Sequence, residues 1–459
     1  MEKNIEEILK FDTFNFNNFD ISYGEDTLIL SFNYEIVGLE KFTHILELPY
    51  SNKNINKEYV KKLAFNIGMI ELVNYWKSTI SKNVNINCGS LNEEQIKFFK
   101  KLYFYGLGEF FYRNKIENNI DNFMNINCTG AFYNEEINYN GFGNLICIGG
   151  GKDSCVSLEL LKNEKDNSCF MINPRTVHLN CCKVAGIDSI YGVKRIIDKK
   201  LLKLNELGYL NGHVPFSAMV SFVSYLTAYL NNKNNIILSN ESSANQVNVL
   251  GTKINHQYSK SYEYELDFQN YSKKYLGSIN YFSLLRPLSE YQIGMLFSKN
   301  CSKYFKVFKS CNLGSKEKEW IWCCKCAKCL FVFSLLSPYL YKDTLVDIFG
   351  IDMFNDINNL QMFKELLGKE NVKPFDCVGT FEEINYAITK TIKEYNGDLP
   401  YLLKYYKENY YDESVLDDDL EHSYNHEHSL DCYYENIIKE VIKWKKRLLI
   451  FWKIRLLLY

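Results

Sequence analysis

One run of six residues, GGGKDS, carries the types of group that bind nucleotide phosphates. It begins with three consecutive glycines, Gly149, Gly150 and Gly151. Because glycine has no Cβ, these residues can adopt positive φ angles and bring backbone amides close to a ligand. Lys152 then supplies a cation, Asp153 a hard oxygen ligand for Mg²⁺, and Ser154 a hydroxyl that can cap a helix or contact phosphate. The run therefore predicts a phosphate-binding loop.

The residues on either side of this run indicate how it is held. Residues 145–148 form a short apolar run typical of a buried parallel strand, and apolar positions resume at helical spacing over residues 155–161. The loop then leads into a helix N-terminus, where the dipole and the unpaired N–H groups favour an anion. The spacing fits neither the Walker loop nor GxGxxG. We predict an α/β domain with a parallel sheet. The alternative to a phosphate-binding loop is a glycine-rich strand-to-helix turn that binds no ligand.

Two further predicted strands, over residues 168–174 and 235–238, end in polar sequence. The polar residues at these ends are Asn173, Arg175, Asn240 and Glu241. Ligands of open parallel sheets bind beyond the carboxyl ends of the strands. We therefore expect these four side chains to lie near the nucleotide.

A dense polar cluster and one arginine are candidates for a second part of the site. Residues 256–263, HQYSKSYE, place His256 and Lys260 between apolar segments, which is more typical of a site than of a surface loop. Arg286 precedes a proline and a predicted helix. Its guanidinium suits a carboxylate or a phosphate, and a structural ion pair is the alternative.

Five cysteines in the run SCNLGSKEKEWIWCCKCAKC form the other strong signal. Cys323, Cys326 and Cys329 follow a C-x2-C-x2-C spacing, and Cys311 precedes them. Four thiolates around a tetrahedral ion make a closed structural zinc site, so we predict zinc on these four, with Cys324 as the spare. An iron–sulfur cluster and buried thiols without metal are the alternatives.

Composition limits the possible partners and the compartment. The 459 residues carry a formal charge of only -2, which argues against an extended nucleic-acid surface. The opening MEKNIEEILK lacks the basic start and apolar core of a signal peptide. We therefore expect a cytoplasmic protein whose 15 cysteines are reduced thiols or metal ligands.

Patterning divides the chain into three parts. Residues 1–140 predict a small α+β domain, 141–390 the nucleotide domain with the cysteine cluster, and 391–459 a helical, basic tail. Within the first part we predict strands between residues 20 and 50, helices over 58–80 and 95–113, and a linker over 114–140. The tail ends in an amphipathic helix, residues 437–459, which is too interrupted by charge to span a membrane. It is expected to contact a membrane surface, a partner or the body of the protein.

Several motifs, and above all their order, resemble known families. GGGKDS is similar to the SGGxDS loop of the PP-loop ATP pyrophosphatases, with Gly149 where that family usually has serine. The cysteine spacing resembles that of the 7-cyano-7-deazaguanine synthases, which are PP-loop enzymes with zinc. Over residues 20–390, the order of motifs resembles the UDP-N-acetyl-α-D-muramoyl-L-alanyl-L-glutamate epimerases. Those motifs are YFYGLGEFFYRN, GGGKDS, NGHVP, SNESS, NHQYSKS, SLLRPLSE, SCN with the cysteine cluster, and KPFDCVG.

The resemblance implies an ATP-dependent isomerase of peptidoglycan synthesis. Its substrate would be UDP-MurNAc-L-Ala-L-Glu, whose glutamate carboxylate is adenylated with ATP and Mg²⁺ before inversion to the D form. The loop residues Gly149, Gly150, Gly151 and Ser154 would then bind pyrophosphate, Lys152 would stabilise charge, and Asp153 would hold magnesium. For the proton transfers His256 and Lys260 are the first candidates, His213 the second, and a thiol of Cys181 or Cys182 the alternative. Arg175 and Arg286 would hold the substrate's carboxylates or diphosphate.

Two other functions remain open from the sequence. One is a different PP-loop enzyme, either a nitrile-forming deazaguanine synthase or a tRNA-modifying enzyme. The other is a nucleotide-binding module without catalysis that uses its basic C-terminal helix to bind a partner or a membrane.

Overall fold

Ten strands form one sheet in the computed structural model, which describes residues 3–245, 258–370, 373–374 and 376–442. The strands are β1 (Thr13–Tyr23), β2 (Thr27–Ile36), β3 (Glu40–Pro49), β4 (Asn83–Ile86), β5 (Asn125–Cys128), β6 (Asn144–Cys147), β7 (Asn167–Ile172), β8 (Ile190–Ile196), β9 (Asn235–Leu238) and β10 (Asn280–Ser283). Their order across the sheet is β10-β9-β6-β7-β8-β3-β2-β1-β4-β5.

Helices pack against this sheet and form the C-terminal region. They are α1 (Ile5–Leu9), α2 (Lys57–Trp76), α3 (Glu93–Gly106), α4 (Gly108–Arg113), α5 (Lys152–Leu160), α6 (Thr176–Ala185), α7 (Lys199–Glu206), α8 (Phe216–Leu230), α9 (Tyr262–Tyr271), α10 (Glu290–Asn300), α11 (Ala327–Leu336), α12 (Lys342–Phe349), α13 (Leu360–Leu366), α14 (Phe381–Glu394) and α15 (Tyr401–Asn409). The α/β class and the helical C-terminal region are thus confirmed.

The half of the sheet formed by β6 to β10 is parallel throughout. Each face of it is buried: Leu145 joins the core that contains α2 and α8, whereas Ile146 joins a second core that contains α10 and α11. A parallel strand covered by helices on both faces must be apolar along its length. This explains why β6, β7 and β9 were recognisable as short apolar runs.

The other half is mainly antiparallel. Strands β1, β2 and β3 pair antiparallel and alternate buried with more exposed residues, as expected for strands with one face toward a core. Residues 45–47 of β3 pair with residues 194–196 of β8 and so join the two halves. The domain division at residue 140 falls in the loop before β6, although strands from both sides of it share the sheet. That division stays a prediction.

Two local predictions in the first 140 residues need correction. The helix predicted over 95–113 is interrupted at Leu107, where α3 ends and α4 begins. The linker predicted over 114–140 contains β5, which pairs with the parallel neighbour β4. Asparagines of the two strands stack on one another, with Asn125 Nδ2 3.4 Å from Asn83 Oδ1. Because asparagine is rare in strands, the residue pattern gave no strand signal.

The C-terminal tail packs back on the parallel sheet. Residues 432–442 are helical; Ile438 is buried, and the Tyr434 hydroxyl donates to Asn144 Oδ1 of β6 at 2.7 Å. The first part of the helix predicted over 437–459 therefore contacts the body of the protein, and residues 443–459 lie outside the described residues. No helix in the described part of the chain is both long and apolar enough to cross a membrane.

Candidate active site

The GGGKDS run forms the connection between β6 and α5. Gly150 adopts φ +77°, and a Cβ there would lie 2.6 Å from Val177, so both conformation and packing require glycine. The Gly149 amide donates to Ser154 Oγ at 2.9 Å, which closes the loop on itself. No side chain caps α5, which begins at Lys152. Its first-turn amides are therefore available to an anion at the loop.

Lys152 lies beneath the loop rather than in open solvent. Its side chain is fully buried, and its ammonium group contacts the carboxylates of Asp153 and Glu290. Burial alone would raise the pKa of Glu290, but the ammonium groups of Lys152 and Lys328 outweigh burial and lower that pKa to about 2. The same two carboxylates keep Lys152 protonated by raising its pKa against the effect of burial. The loop therefore rests on a buried network of fixed charges.

A cavity of about 420 Å³ opens beyond the carboxyl ends of β6, β7 and β9. It is lined by Gly149 and Ser154 and by six side chains from the sequence-predicted set, namely Asp153, Asn173, Arg175, Asn240, Glu241 and Lys260. This is the position in which ligands of open parallel sheets bind. The structure thus brings the phosphate loop and the predicted strand-end residues together around one space.

The Asn173 and Arg175 side chains are both engaged with protein. Asn173 accepts from the Arg195 amide at 2.7 Å and donates to its carbonyl at 3.0 Å. The Arg175 guanidinium bonds to carbonyls of residues 315, 317 and 318 and lies 5.6 Å from the ring centre of Trp320. Arg175 therefore fastens the loop between Cys311 and Cys323 to the carboxyl end of β7.

His178 is a cavity residue that sequence reasoning missed. It accepts from the Arg175 amide at Nδ1, 3.1 Å away, and packs edge-on against Trp320. Burial, assisted by the charge of Arg175, lowers the pKa of His178 to about 4, so the ring is neutral near pH 7. Its position gave a usable signal, because it lies in the first turn of the helix that follows a predicted strand end.

Arg286 holds two cavity residues by their backbones. Its side chain is fully buried and pairs with Glu265 Oε2 at 2.9 Å. It also donates to the carbonyl of Glu241 at 2.6 Å and to the carbonyl of Lys260 at 2.7 Å. The guanidinium is thus committed to protein contacts of the structural ion-pair kind, and the predicted contact with substrate would require it to leave them.

Other proton-transfer candidates lie away from the cavity or outside the described part. His256 falls among residues 246–257, which are outside the described residues. His213 has its Nδ1 3.6 Å from Glu109 Oε2 and is not among the cavity-lining residues. Cys181 and Cys182 are buried on α6, and the Cys181 sulfur is 3.8 Å from the Gly150 carbonyl. Of the named candidates that the structure describes, Lys260 is the one that lines the cavity.

The cysteine cluster has the geometry of a tetrahedral metal site. The sulfurs of Cys311, Cys323, Cys326 and Cys329 all lie within 4.8 Å of one another. Three of the sulfur–sulfur distances are 3.8, 3.9 and 3.5 Å. A tetrahedron with Zn–S bonds of about 2.3 Å has edges of about 3.8 Å, so these thiols fit zinc. Cys324 turns away and places its sulfur 3.2 Å from the Phe349 carbonyl.

The cysteine cluster also supports the phosphate loop. The Lys309 amide donates to the Gly150 carbonyl at 2.9 Å, and a Cβ on Gly151 would lie 2.6 Å from Ser310 Oγ. Both residues directly precede Cys311. Order in the cluster is therefore coupled to the shape of the loop that faces the cavity.

Comparison with known protein families agrees with this arrangement. A sequence profile of the MurL N-terminal domain matches residues 6–284, and one of the MurL C-terminal domain matches residues 307–418. The chain belongs to the MurL family. The two matched segments include the phosphate loop and the cysteine cluster, respectively.

Relatives of the MurL family match most of the chain. A protein of Micromonospora sp. named UDP-N-acetyl-alpha-D-muramoyl-L-alanyl-L-glutamate epimerase is 32% identical over 396 residues, which cover 84% of this chain and 88% of the relative. Proteins of the same name from Salinispora tropica and Xanthomonas oryzae pv. oryzae are 32% and 31% identical, over 84% and 80% of this chain and 86% and 83% of their own lengths. No solved structure matches the chain.

Ionisation of the buried Glu241 carboxyl group should lower the free energy of unfolding of this MurL family member. Burial, and then repulsion from Glu290, raises the pKa of Glu241 from 4.5 to about 7. The unfolded chain therefore loses this proton first, and the fold loses stability as pH rises from 4.5 through 7. Glu241→Gln removes the penalty, so the variant should be more stable than the wild type by about 3 kcal/mol at pH 8 and by under about 1 kcal/mol at pH 5.

Thermal unfolding at the two pH values measures this difference. The expected gain at pH 8 is about 3 °C for a chain of this size. Glu408→Gln on the exposed surface is the matched control and should show no such pH dependence. A Glu241→Gln variant that is less stable than the wild type at pH 8 would show that the ionised carboxylate stabilises the fold.

Proposed function

We propose that the protein epimerises the terminal L-glutamate of UDP-MurNAc-L-Ala-L-Glu to D-glutamate in peptidoglycan biosynthesis, with ATP converted to AMP and pyrophosphate. The main support is the cavity that joins a phosphate loop to Glu241 and Lys260, in a chain whose relatives carry the epimerase name. A nucleotide-linked precursor and ATP as co-substrate are consistent with a reaction in the cytoplasm.

The chemistry explains why such an epimerase needs nucleotide. A glutamate carboxylate is already anionic, so removal of the adjacent α-proton would create a second negative charge beside the first. Adenylation converts the carboxylate into an acyl phosphate whose carbonyl group carries no charge, and a few hydrogen-bond donors can stabilise the enolate formed from it. A base then removes the α-proton, an acid returns one to the other face, and water releases AMP. One cavity must therefore hold both an anion-binding loop and acid–base groups.

The loop residues fit the adenylation half of this reaction. The uncapped amides at the start of α5, with Gly149, Gly150, Gly151 and Ser154, would bind the pyrophosphate part of ATP. Asp153 is partly exposed, with 26% of its side chain accessible, and lines the cavity, so it would hold Mg²⁺. Lys152, which lies beneath the loop, would stabilise the negative charge of the bound phosphates. We assign the domain to the PP-loop ATP pyrophosphatase type on these grounds.

The four cysteines would hold a structural zinc ion. Their sulfur spacing leaves no open position for a substrate, which is typical of structural rather than catalytic sites. The ion would fix the loop that carries Lys309 and Ser310 against the phosphate loop.

Incubation of the purified protein with UDP-MurNAc-L-Ala-L-Glu, ATP and Mg²⁺ in deuterated water tests the proposal. The expected result is AMP release together with deuterium at the glutamate Cα and formation of the D epimer. Omission of either ATP or the UDP-linked dipeptide should abolish all three signals. AMP release that depends instead on tRNA or on ammonia would contradict the epimerase function and support another enzyme of the PP-loop type.

A further inference from the structure

Cys377 meets Lys260, which lines the cavity. Cys377 precedes α14, and its sulfur lies 3.1 Å from Lys260 Nζ. A second ammonium group, that of Lys328, donates to the carbonyl of Cys377. Cys377 itself is partly accessible, and Lys260 lines the cavity. A cysteine outside the metal cluster is thus held by two lysines beside the phosphate loop.

The charges around Lys260 keep it a cation. Burial alone would lower its pKa, but the Cys377 sulfur, Glu241 and Asp153 raise the pKa above its ordinary value. An ammonium group at hydrogen-bond distance from a sulfur is the environment in which cysteine acts as thiolate. Cys147 also lines the cavity, but burial raises the pKa of its thiol to about 12, so it stays protonated. Cys377, whose sulfur has the Lys260 ammonium group 3.1 Å away, is the thiol that the geometry favours as a base.

Glu241 is the complementary acid–base group in the same space. It lines the cavity, and its side chain makes no hydrogen bond to another described residue, in contrast to the side chains of Asn173 and Arg175. Arg286 binds the backbone carbonyls of Glu241 and Lys260 with its two terminal nitrogens. A single buried guanidinium thus fixes the separation of the segments that carry the carboxyl group and the lysine. This rigidity suits two groups that must act on one carbon atom.

We propose that Cys377, with Lys260 as its positioning cation, and Glu241 are the two acid–base residues that exchange the α-proton of the adenylated glutamate. This inference rests on the proposed function. In one direction the Cys377 thiolate takes the α-hydrogen as a proton and forms an S–H bond, while the C–H electron pair moves into the activated carboxyl group as an enolate. The protonated Glu241 carboxyl then donates its proton to the other face and re-forms the C–H bond. Cys377 and Glu241 return to their starting protonation states by exchange with water.

If two different residues act on the two faces of Cα, loss of one residue should affect the L and D epimers differently, and the test measures this difference. The L and D epimers of the UDP-linked dipeptide are each incubated with ATP and Mg²⁺ in deuterated water, and deuterium at Cα and inversion are measured separately. Cys377→Ser should lose inversion and, for one epimer, lose α-exchange by roughly a hundredfold or more, while the other epimer still exchanges without inversion. Glu241→Gln should show the opposite epimer preference. Both variants should keep substrate-dependent exchange of labelled pyrophosphate into ATP, and Cys432→Ser, which is exposed, is the matched control.

A second measurement does not depend on turnover. Alkylation of Cys377 by iodoacetamide, followed by peptide mass spectrometry, should be roughly tenfold slower in Lys260→Met than in the wild type, because the thiolate loses its cation. Equal alkylation rates would overturn the role of Lys260.

The outcomes separate this inference from the proposed function. Absence of both AMP release and α-exchange with the wild-type protein would contradict the proposed function. Wild-type turnover combined with undiminished exchange of both epimers in Cys377→Ser would overturn the role of Cys377 alone. Equal loss of pyrophosphate exchange and α-exchange in Cys377→Ser would also overturn it, since that pattern indicates a structural role.

Discussion

Asp153→Asn is expected to reduce AMP formation by about two to three orders of magnitude without unfolding the protein. Asp153 is the carboxylate of the phosphate loop that reaches the cavity, and its partner Lys152 retains Glu290 when the charge of Asp153 is removed. Loss of a magnesium ligand beside the triphosphate removes several kcal/mol of charge stabilisation. Each 1.36 kcal/mol corresponds to tenfold in rate. Substrate-dependent AMP release, measured over a range of Mg²⁺ concentrations, gives the effect.

The control for this variant is Asp188→Asn, which changes the same functional group on the exposed surface. It should release AMP at the wild-type rate. The Asp153→Asn variant should also require more Mg²⁺ for half-maximal activity, because fewer anionic oxygens remain to bind the ion. Wild-type AMP release from Asp153→Asn at low Mg²⁺ would show that a group other than Asp153 holds the metal.

Local patterns in the sequence were sufficient to predict a site where its residues lie close together along the chain. The glycine loop was recognisable because a buried strand, three glycines and a helix follow one another within a few residues. The C-x2-C-x2-C run was recognisable because three thiols recur at intervals of three residues, a spacing typical of metal ligands. In both cases the structure gathers the expected residues, with the sulfurs within 4.8 Å and the loop at the cavity. The rules involved act over short distances along the chain.

The sequence could not show which charges are buried together. Glu290 lies within the motif SLLRPLSE, but its contact with Lys152 joins residues that are 138 positions apart. Arg286 in the same motif suggested a ligand contact, whereas the fold closes Glu265 and two backbone carbonyls around its guanidinium. Pairing across such separations depends on how strands and helices pack, and no local periodicity reports it.

The contact between Cys377 and Lys260 shows the same limit at the proposed acid–base site. The KPFDCVG motif was visible among the motifs that carry the family resemblance, but nothing in the sequence indicated a partner for its cysteine. Its partner Lys260 is 117 positions away, after β9, the fourth strand of the parallel half. A distance of 3.1 Å between the two groups therefore became informative only when the segments were seen in one fold.

Cys329→Ser is expected to have the largest effect on stability. Cys329 is fully buried, and its sulfur is 3.5 Å from the Cys326 sulfur and 3.9 Å from the Cys323 sulfur. If zinc occupies the tetrahedron, its binding energy is folding energy, on the order of 10 kcal/mol for structural sites. With an unfolding entropy of roughly 1 kcal/mol per degree for a chain of this size, the melting temperature should fall by about 5–10 °C. The wild type should contain one zinc per chain by metal analysis, and the variant should contain little.

The neighbouring thiol provides a matched control for this prediction. Cys324→Ser makes the same chemical change five residues earlier in the chain, but the Cys324 sulfur contacts the Phe349 carbonyl and not the other thiols of the cluster. This variant should keep its zinc and most of its stability, since serine can still donate to that carbonyl. Equal destabilisation of the two variants, with no zinc in the wild type, would indicate buried thiols without metal. Iron and sulfide in place of zinc would identify the cluster as an iron–sulfur centre, because both metals use the same thiolate ligands.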